Sequence, residues 1–254
     1  MACVFNKQLL HPRNWLTWFG LGILWLIVQL PYPLLHFIGT SAGRLSRRFL
    51  KRREHIARRN IELCFPEMSP AARETLIDQN FMSLELGGRA MGLCRPMMAT
   101  YRPHNSPLME WVQTRGRLRS NKAMIDRNNL TGLVHALKSG EAVWFAPDQD
   151  YGPKGSVFAP FFSVPQAATT NGTYVLSRLS GAKMLSISMV RKLDRQGYSL
   201  HISEVMNDYP GEDKQIAAGY INKVIEREIL RAPEQYLWVH RRFKTRPLGE
   251  PSVY

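Results

Sequence analysis

The chain has 254 residues, with 34 lysines and arginines against 20 aspartates and glutamates, and its formal net charge is +14. This length allows one large domain or two small ones, and the charge predicts an acidic partner such as anionic lipid, nucleic acid or an acidic protein. The three cysteines, Cys3, Cys64 and Cys94, form no CxxC pair. We therefore expect free thiols in a reducing compartment, and we expect neither a disulfide framework nor a zinc site.

The first feature along the chain is an apolar run, Trp15–Gly39, without any aspartate, glutamate, lysine or arginine. Its 25 residues would cross a bilayer as a helix, and Pro31 and Pro33 are expected to kink or end that helix. We therefore predict an N-terminal segment, residues 1–43, with a membrane anchor at about 15–39. The pattern leaves open whether this anchor spans the membrane or dips into one leaflet.

A strongly basic segment, Arg44–Arg59, follows directly and holds eight lysines or arginines with one glutamate. Cytoplasmic flanks of membrane helices carry an excess of basic residues, and such clusters bind anionic lipid head groups. The pattern predicts that residues 44–254 form a domain on the cytoplasmic face of a membrane. A solvated helix face is the alternative interpretation of the charge.

The rest of the chain alternates between helical and strand patterns, which predicts an α/β fold. Helices are expected from Ser69-Pro70 onward and at Leu108–Leu118, Leu130–Lys138, Ala167–Leu179 and Asp213–Arg231. Strands are expected at Pro96–Tyr101 and Ala142–Ala146, and a hairpin is expected to pair Lys183–Lys192 with Tyr198–Val205.

Two of these predicted strands end where a proline and polar residues begin. Tyr101 leads into Arg102-Pro103-His104-Asn105, and Ala146 leads into Pro147-Asp148-Gln149-Asp150. Ligands of open α/β sheets bind beyond the carboxyl ends of the strands. The candidate site residues are therefore Arg102, Asn105, Asp148 and Asp150.

The second of these loops continues into a glycine-rich stretch and an aromatic one, Phe158–Phe162. Polar groups beside an apolar wall are typical of a ligand pocket. The alternative is that Asp148 and Asp150 only stabilise a turn, because aspartate is common in turns.

A second basic run, Arg115–Lys122, makes Arg117 and Lys122 candidates for binding an anionic substrate. Nucleic acid would also be attracted to such a run, but the run lacks the interleaved aromatic residues on which bases stack. A nucleic-acid partner is therefore not expected, since it would rest on charge alone.

Five blocks and the apolar N-terminal segment carry a family resemblance. The blocks are YRPHN at 101–105, RGRLRSNK at 115–122, APDQDYG at 146–152, FAPFF at 158–162 and APEQYLWVHRRFK at 232–244. Over nearly its whole length the chain resembles the lysophospholipid-type acyltransferases that acylate the lipid A precursor in Gram-negative bacteria. Within that family it is most similar to the palmitoleoyl transferase branch, with the lauroyl transferases next.

The resemblance implies a glycerolipid-acyltransferase-like fold, with a mixed central sheet flanked by helices, at the bacterial inner membrane. It also implies transfer of a fatty acyl group from acyl carrier protein to a hydroxyacyl chain of Kdo2-lipid IV(A). No metal or redox cofactor is implied.

The family's catalytic signature is a histidine, four further residues and an acidic residue. The matching segment here is Asn80-Phe81-Met82-Ser83-Leu84-Glu85, with Glu85 at the acidic position and Asn80 at the histidine position. The family also has a long block before this motif that the present chain lacks. We infer an internal deletion near 80/81 that removes the catalytic histidine and a core strand. Histidine serves as a base near neutral pH, and asparagine does not.

On this resemblance Glu85 is the remnant of the catalytic pair, while Arg102 and Asn105 bind a substrate phosphate or stabilise the developing oxyanion. Asp148 and Asp150 organise their loop or bind a sugar hydroxyl. The two basic runs attract anionic lipid and the acidic carrier protein. One alternative is a non-catalytic, membrane-bound remnant that still binds the lipid A precursor or the carrier protein. A lauroyl transferase is a second alternative.

Overall fold

The computed structural model describes residues 5–84, 97–192 and 197–254. Its α-helices are α1 (Trp15–Ile27), α2 (Tyr32–Phe49), α3 (Lys51–Cys64), α4 (Pro70–Leu84), α5 (Pro107–Arg117), α6 (Leu130–Lys138), α7 (Gly172–Ser180) and α8 (Lys214–Ile229). Its strands are β1 (Met98–Tyr101), β2 (Ala123–Asp126), β3 (Val143–Trp144), β4 (Ser156–Phe161), β5 (Val164–Thr170), β6 (Ile187–Arg191) and β7 (Tyr198–Ile202). Short 3-10 helices lie at Lys7–Leu10, Pro12–Asn14 and Pro233–Gln235.

The helix boundaries follow local capping signals in the sequence. The Ser69 hydroxyl accepts a hydrogen bond from the Ala72 N–H at 3.3 Å at the start of α4. The Asp213 carboxylate accepts from the N–H groups of Gln215 and Ile216, at 2.6 and 2.9 Å, at the start of α8. Such caps satisfy N–H groups that have no partner inside the helix. The helices predicted from Ser69-Pro70 and near Asp213 are confirmed.

The α/β class is confirmed, but the described strands do not form the single mixed central sheet that we predicted. They form a parallel sheet in the order β2-β1-β3 and two antiparallel pairs, β4-β5 and β6-β7. The parallel sheet is short at one side because β3 has two residues and the chain reaches Pro147 three residues later. A proline cannot donate to a ladder of backbone hydrogen bonds.

Residues 167–170 belong to a strand, and the prediction that a helix begins at Ala167 is wrong. Thr169 and Thr170 pair with Val157 and Ser156 in the β4-β5 hairpin, and α7 begins only at Gly172. The two threonines are β-branched and fit a pleated strand better than a helix. The cross-strand partner, which lies outside the local pattern, decides between the two conformations.

The apolar N-terminal run is divided between two helices, and the break lies at the prolines where the sequence predicts a kink or a helix end. Helix α1 ends at Ile27, and α2 begins at Tyr32. The break coincides with Pro31, whose nitrogen cannot donate to the preceding turn. No helix among the described residues has both the length and the apolar character needed to cross a membrane.

The chain divides into two compact units, and the predicted domain boundary at 43/44 lies inside α2. The first unit contains residues 1–38 and 89–145, and the second contains residues 39–88 and 146–254. In the first unit, Trp18 and Phe5 lie against Trp111 of α5 with ring centroids 6.0 and 5.3 Å away. The parallel sheet belongs to this first unit, and both antiparallel hairpins belong to the second.

The hydrophobic core of the second unit is built where α3 and α4 meet the β4-β5 hairpin and the C-terminal segment. Its largest fully buried side chains are Trp238, Phe81, Phe161, Phe243, Ile61 and Ile77. The approach of α2 to α4 requires Gly43, because a Cβ at that position would collide with the backbone of Phe81. A glycine therefore sets the distance between these two helices.

An ion-pair network joins α2, α3 and α4. Arg47 of α2 contacts Glu54 of α3 at 2.8 Å and Glu74 of α4 at 2.7 Å, and it also pairs with Asp78. Glu74 in addition pairs with Arg58 of α3. Hydrogen bonds from Arg58 and then from Arg47 lower the pKa of Glu74 to about 2, although partial burial opposes this shift.

We predict that Glu74→Gln reduces the acid sensitivity of the fold. The folded-state pKa of about 2 lies below the ordinary value of 4.5, so Glu74 contributes stability that is present above pH 4.5 and is lost as the pH falls from 4.5 toward 2. Urea unfolding at pH values between 2.5 and 7 measures how the free energy of unfolding of the wild type and of the variant depends on pH. Glu67→Gln, which removes an exposed carboxylate without an ion pair in the described chain, is the control. An unchanged pH dependence in Glu74→Gln would contradict the assigned role.

Candidate active site

The residues after β1 form a loop whose backbone is fixed while two of its side chains face solvent. The His104 N–H donates to the Glu110 carboxylate at 2.6 Å, and the His104 Nδ1 accepts from the Ser106 N–H at 3.0 Å. Arg102 and Asn105 are exposed. The loop therefore holds a guanidinium and an amide at the carboxyl edge of the parallel sheet.

The end of β2 lies at the same edge. Tyr101 is in register with Asp126, and the N–H of Arg127 donates to the Tyr101 carbonyl at 2.9 Å. Strand ends from β1 and β2 thus bring polar residues together, as expected for a ligand site of a parallel sheet. Arg102 forms no ion pair with the part of the chain that the structure describes.

Lys122 and Arg117 lie at the opposite edge of this sheet. The Lys122 N–H donates to the carbonyl of Met97, just before β1 begins, and its ammonium group pairs with Glu141. Arg117 ends α5, and its carbonyl accepts from the N–H of Asn121 at 3.0 Å where the chain turns toward β2. A four-residue strand is about 13 Å long. The structure therefore does not bring Lys122 together with Arg102.

Asp150 fixes its loop to the C-terminal segment of the second unit. Its side chain is 3% exposed. One carboxylate oxygen accepts from the Gly152 N–H at 2.8 Å and the Thr245 hydroxyl at 2.9 Å, and the other accepts from the Thr245 N–H at 2.7 Å. Both oxygens are thus occupied inside the protein. These contacts favour loop organisation over sugar binding as the role of Asp150.

Asp148 lies beside two residues that the sequence analysis did not single out, Tyr236 and Arg242. The Tyr236 hydroxyl donates to the Asp148 carbonyl at 3.2 Å. Burial raises the pKa of the Asp148 carboxyl group, and the nearby Arg242 charge opposes the shift. Burial also raises the pKa of Tyr236. This part of the loop is therefore a desolvated environment in which a carboxyl group holds its proton more easily than in water.

Arg242 is a buried cation whose charge acts on Asp148 and whose hydrogen bonds go to the β4-β5 hairpin. It donates to the Ala168 carbonyl at 2.6 Å and to the Thr169 hydroxyl at 3.4 Å, and its guanidinium lies 4.8 Å from the centre of the Phe161 ring. In the sequence, Arg242 belongs to a basic cluster with Arg241 and Lys244 that looks like a solvated surface. The signal that could have found it is its position between Trp238 and Phe243, both of which are core residues.

Asn80, the residue at the histidine position of the motif, is a structural residue. Its side chain is 0% exposed. The Asn80 amide donates to the carbonyls of Glu234 and Tyr236, at 2.9 and 2.6 Å. It thereby binds α4 to the segment that carries Tyr236 and Trp238. Glu85, the other residue of the predicted pair, lies outside the described residues.

Across the described ranges, no group of three or more histidine, cysteine, aspartate or glutamate side chains could hold a metal ion. An open groove of about 770 Å³ lies beside α8, where Pro160, Ile216 and Tyr220 line it. None of its lining residues is a predicted site residue. Two separate loops therefore remain as candidate site regions, Arg102–Asn105 in the first unit and Asp148–Asp150 in the second.

A sequence model of one family, described as bacterial lipid A biosynthesis acyltransferase, matches residues 2–84 and 81–245. The lipid A biosynthesis palmitoleoyltransferase of Escherichia coli K12 is 59% identical, over 99% of this chain and 98% of the relative. The lipid A biosynthesis lauroyltransferase of the same organism is 45% identical, over 98% of both chains. A lipid A biosynthesis acyltransferase of Haemophilus influenzae is 37% identical, over 98% of this chain and 97% of the relative.

The buried role of Asn80 predicts a large effect on stability. We expect Asn80→Ala to lower the free energy of unfolding by about 2–3 kcal/mol, because two backbone carbonyls lose their hydrogen-bond donor inside the protein. Urea unfolding followed by tryptophan fluorescence measures the change. Gln79→Ala, at the adjacent and exposed position of the same helix, should leave the midpoint nearly unchanged. Equal effects of the two substitutions would show that the Asn80 contacts contribute nothing specific.

Proposed function

Because the chain belongs to the bacterial lipid A biosynthesis acyltransferase family, we propose that it derives from an enzyme that moves a palmitoleoyl group from acyl carrier protein to a hydroxyacyl chain of Kdo2-lipid IV(A). The observation that carries this proposal is the 59% identity to a palmitoleoyltransferase over 99% of the chain. The identity to a lauroyltransferase is lower, at 45%. The difference favours the palmitoleoyl group over the lauroyl group as the donor chain.

The proposed reaction requires a base. The acceptor hydroxyl must lose a proton as it attacks the thioester, and histidine serves this purpose near neutral pH. At the histidine position of the motif stands Asn80, whose amide cannot accept a proton in this pH range. Its amide is also occupied by two backbone carbonyls in the core. We assign Asn80 to the scaffold and Glu85 to the remaining half of the catalytic pair.

An internal deletion accounts for the missing histidine. The family matches this chain in two segments, 2–84 and 81–245, which meet within α4. The alignment to the palmitoleoyltransferase covers 302 residues, 48 more than the 254 residues of this chain. Both observations support the loss of a block near 80/81. On this proposal Asn80 is the last residue before the lost block and does not replace the histidine.

A second candidate function, binding without turnover, is favoured by the missing histidine. A general base contributes about 10²–10⁴-fold to the rate of such reactions. On this candidate function, the chain keeps the surfaces that bind the lipid A precursor or the carrier protein, while its turnover is lower by about that factor. We propose that the chain as written is such a disabled family member.

The Arg102–Asn105 loop and the Asp148–Asp150 loop take different roles in this proposal. Arg102 and Asn105 are exposed donors on a fixed loop, and Arg102 has no competing ion pair in the described chain, so we assign them to a substrate phosphate or to the developing oxyanion. Asp148 and Asp150 organise the second loop. Arg117 belongs to the basic run that attracts the acidic donor protein, whereas Lys122 is partly neutralised by Glu141.

We place the protein at the cytoplasmic face of the inner membrane. The outward side chains of α1 support this location, since Trp15, Leu16, Phe19 and Trp25 are all exposed. Exposed apolar side chains with aromatic residues among them are typical of segments that contact lipid. The basic segment Arg44–Arg59 follows the apolar run in sequence, as expected for a cytoplasmic flank.

Acyl transfer by membranes that contain this chain tests the proposal directly. The donors are palmitoleoyl and lauroyl acyl carrier protein, and the acceptor is Kdo2-lipid IV(A). The matched comparison is a version in which the missing block and its histidine are restored from the 59% identical relative. We expect transfer by the restored version, with a preference for palmitoleoyl, and a rate lower by about 10²-fold or more for the chain as written.

If this chain transfers acyl groups at a rate comparable to that of the restored version, the proposal that it is disabled is wrong. The result that overturns the family activity is no transfer by a restored version that is folded and present in the membrane. A restored version carrying Glu85→Gln separates catalysis from binding, because loss of the acid should lower kcat without preventing acceptor binding.

For Arg102 we predict that Arg102→Gln in the restored version lowers kcat/KM about 10–100-fold, because a charge-assisted hydrogen bond to a phosphate or an oxyanion is lost. Arg102→Lys should recover part of this loss, since it keeps the charge without the two-pronged geometry. Steady-state kinetics with varied acceptor concentration measures both effects. Arg178→Gln, at an exposed arginine of α7, is the control. Wild-type kinetics for Arg102→Gln would remove this residue from the site.

A further inference from the structure

Where α2 passes into α3, three apolar side chains point into solvent. Leu45, Phe49 and Leu50 are 54%, 76% and 48% exposed. Leu45 and Phe49 are four residues apart on α2 and therefore lie on one face of the helix. Leu50 is the single residue between the two helices. We call these three residues the α2–α3 corner.

The cations around the corner are also exposed. Arg44, Arg48 and Arg52 are exposed, and none of them forms an ion pair within the described residues. Between Arg44 and Arg53 the sequence contains no acidic residue. The corner therefore presents exposed apolar side chains next to three arginines that form no ion pair within the described residues.

The unpaired state of these arginines contrasts with that of Arg47, which lies on the side of α2 opposite Leu45 and Phe49. Arg47 pairs with Glu54, Glu74 and Asp78. These three acids therefore pair on the side of α2 that packs against α3 and α4. The sequence between Arg44 and Arg53 contains no acid that could neutralise the solvent-facing side. This division leaves the outward cations available for an anionic surface.

The corner is held in place by the scaffold. The Leu50 N–H donates to the Ser46 carbonyl at 2.7 Å, and the Leu50 carbonyl accepts from Arg53 and Glu54 at 2.8 and 3.0 Å. Gly43, two residues before Leu45, lies close to the backbone of Phe81 in α4. Because the backbone is already ordered, binding through the corner costs little further conformational entropy.

We propose that the α2–α3 corner is a membrane-insertion wedge, in which Leu45, Phe49 and Leu50 enter the outer part of an anionic bilayer while Arg44, Arg48 and Arg52 contact lipid head groups. Amphipathic surfaces bind lipid in this way, because their apolar side chains insert into the bilayer while their arginines contact the head groups. This contact lies in the second unit and acts in addition to α1. It rests on the membrane location proposed above and names the residues of the second unit that make the contact.

An acidic protein is the competing partner, and the composition of the corner disfavours it. Steering of an acidic protein needs only the charges. An exposed phenylalanine and two exposed leucines beside three arginines fit a lipid surface, where apolar groups leave water and cations contact phosphates.

Vesicle partitioning of the full chain, without any acyl substrate, tests the wedge. The apolar variant is Leu45→Ser/Phe49→Ser/Leu50→Ser, and the charge variant is Arg44→Gln/Arg48→Gln/Arg52→Gln. On vesicles containing phosphatidylglycerol we expect more than about tenfold weaker partitioning for each. On vesicles of phosphatidylcholine alone, the charge variant should bind like the wild type.

Matched substitutions elsewhere in the second unit serve as controls. Ile216→Ser removes an exposed apolar side chain of α8, and Lys183→Gln/Lys192→Gln/Lys214→Gln removes three exposed cations without ion pairs in the described chain. Both should bind the anionic vesicles like the wild type. Equal losses for the control and the corner variants would show that total charge or apolarity, and not the corner, sets the affinity.

A position-specific probe keeps the test independent of variant folding. An environment-sensitive fluorophore is attached at Phe49→Cys or at Ile216→Cys, with Cys3 and Cys94 replaced by serine. Cys64 is buried and burial raises the pKa of its thiol, so it reacts slowly. We expect a blue shift on anionic vesicles for the probe at position 49 and none at position 216.

The inference is overturned if the probe at position 49 keeps its aqueous emission on vesicles that bind the protein. It is equally overturned if acidic carrier protein without lipid produces the same shift. Because no acyl donor or acceptor is present, these outcomes are separate from the acyl-transfer assay. A negative result in the vesicle experiments therefore does not contradict the proposed reaction. A negative result in the acyl-transfer assay does not contradict the wedge.

Discussion

In the second unit, the buried backbone carbonyls of the C-terminal segment need hydrogen-bond donors, and the packing of two helices supplies them. The segment from Glu234 to His240 crosses the core outside the described sheets, and two asparagine side chains supply its donors. Asn80 of α4 donates to the carbonyls of Glu234 and Tyr236, and Asn60 of α3 donates to those of Trp238 and His240, at 2.6 and 2.7 Å. The two helices thus do for this segment what a neighbouring strand does in a sheet.

The hydrogen bonds of Asn80 limit what this residue can do in the proposed acyl transfer. Asn80 stands at the histidine position of the family motif, yet its side chain faces the core and holds Tyr236, which in turn donates to the Asp148 carbonyl. A histidine placed there would lie among core contacts and would cost the fold two hydrogen bonds. On the proposed deletion, a base returns only with the lost block, and Asn80 keeps its structural role in either case.

Charge is divided by the packing of the helices. The basic segment looks uniform in sequence, but α2 directs Arg47 toward the acids of α3 and α4 and directs Arg44 and Arg48 into solvent. The C-terminal basic cluster is divided in the same way, since Arg242 lies beneath Phe161 while Lys244 is exposed. Inward arginines stabilise the fold through hydrogen bonds, and outward ones remain free for lipid or an acidic partner.

The sequence by itself determined the family, the α/β class, the helices with strong local caps and the polar loops after Tyr101 and Ala146, because each of these is written in a short contiguous pattern. Tertiary structure alone decided that Ala167–Thr170 is a strand. It also decided that Lys122 lies at the sheet edge opposite Arg102. These outcomes depend on partners far along the chain: Thr169 pairs with Val157, and Asn80 bonds a carbonyl 156 residues away. No local pattern contains such partners, since a side chain's environment is set by whichever segments fold against it.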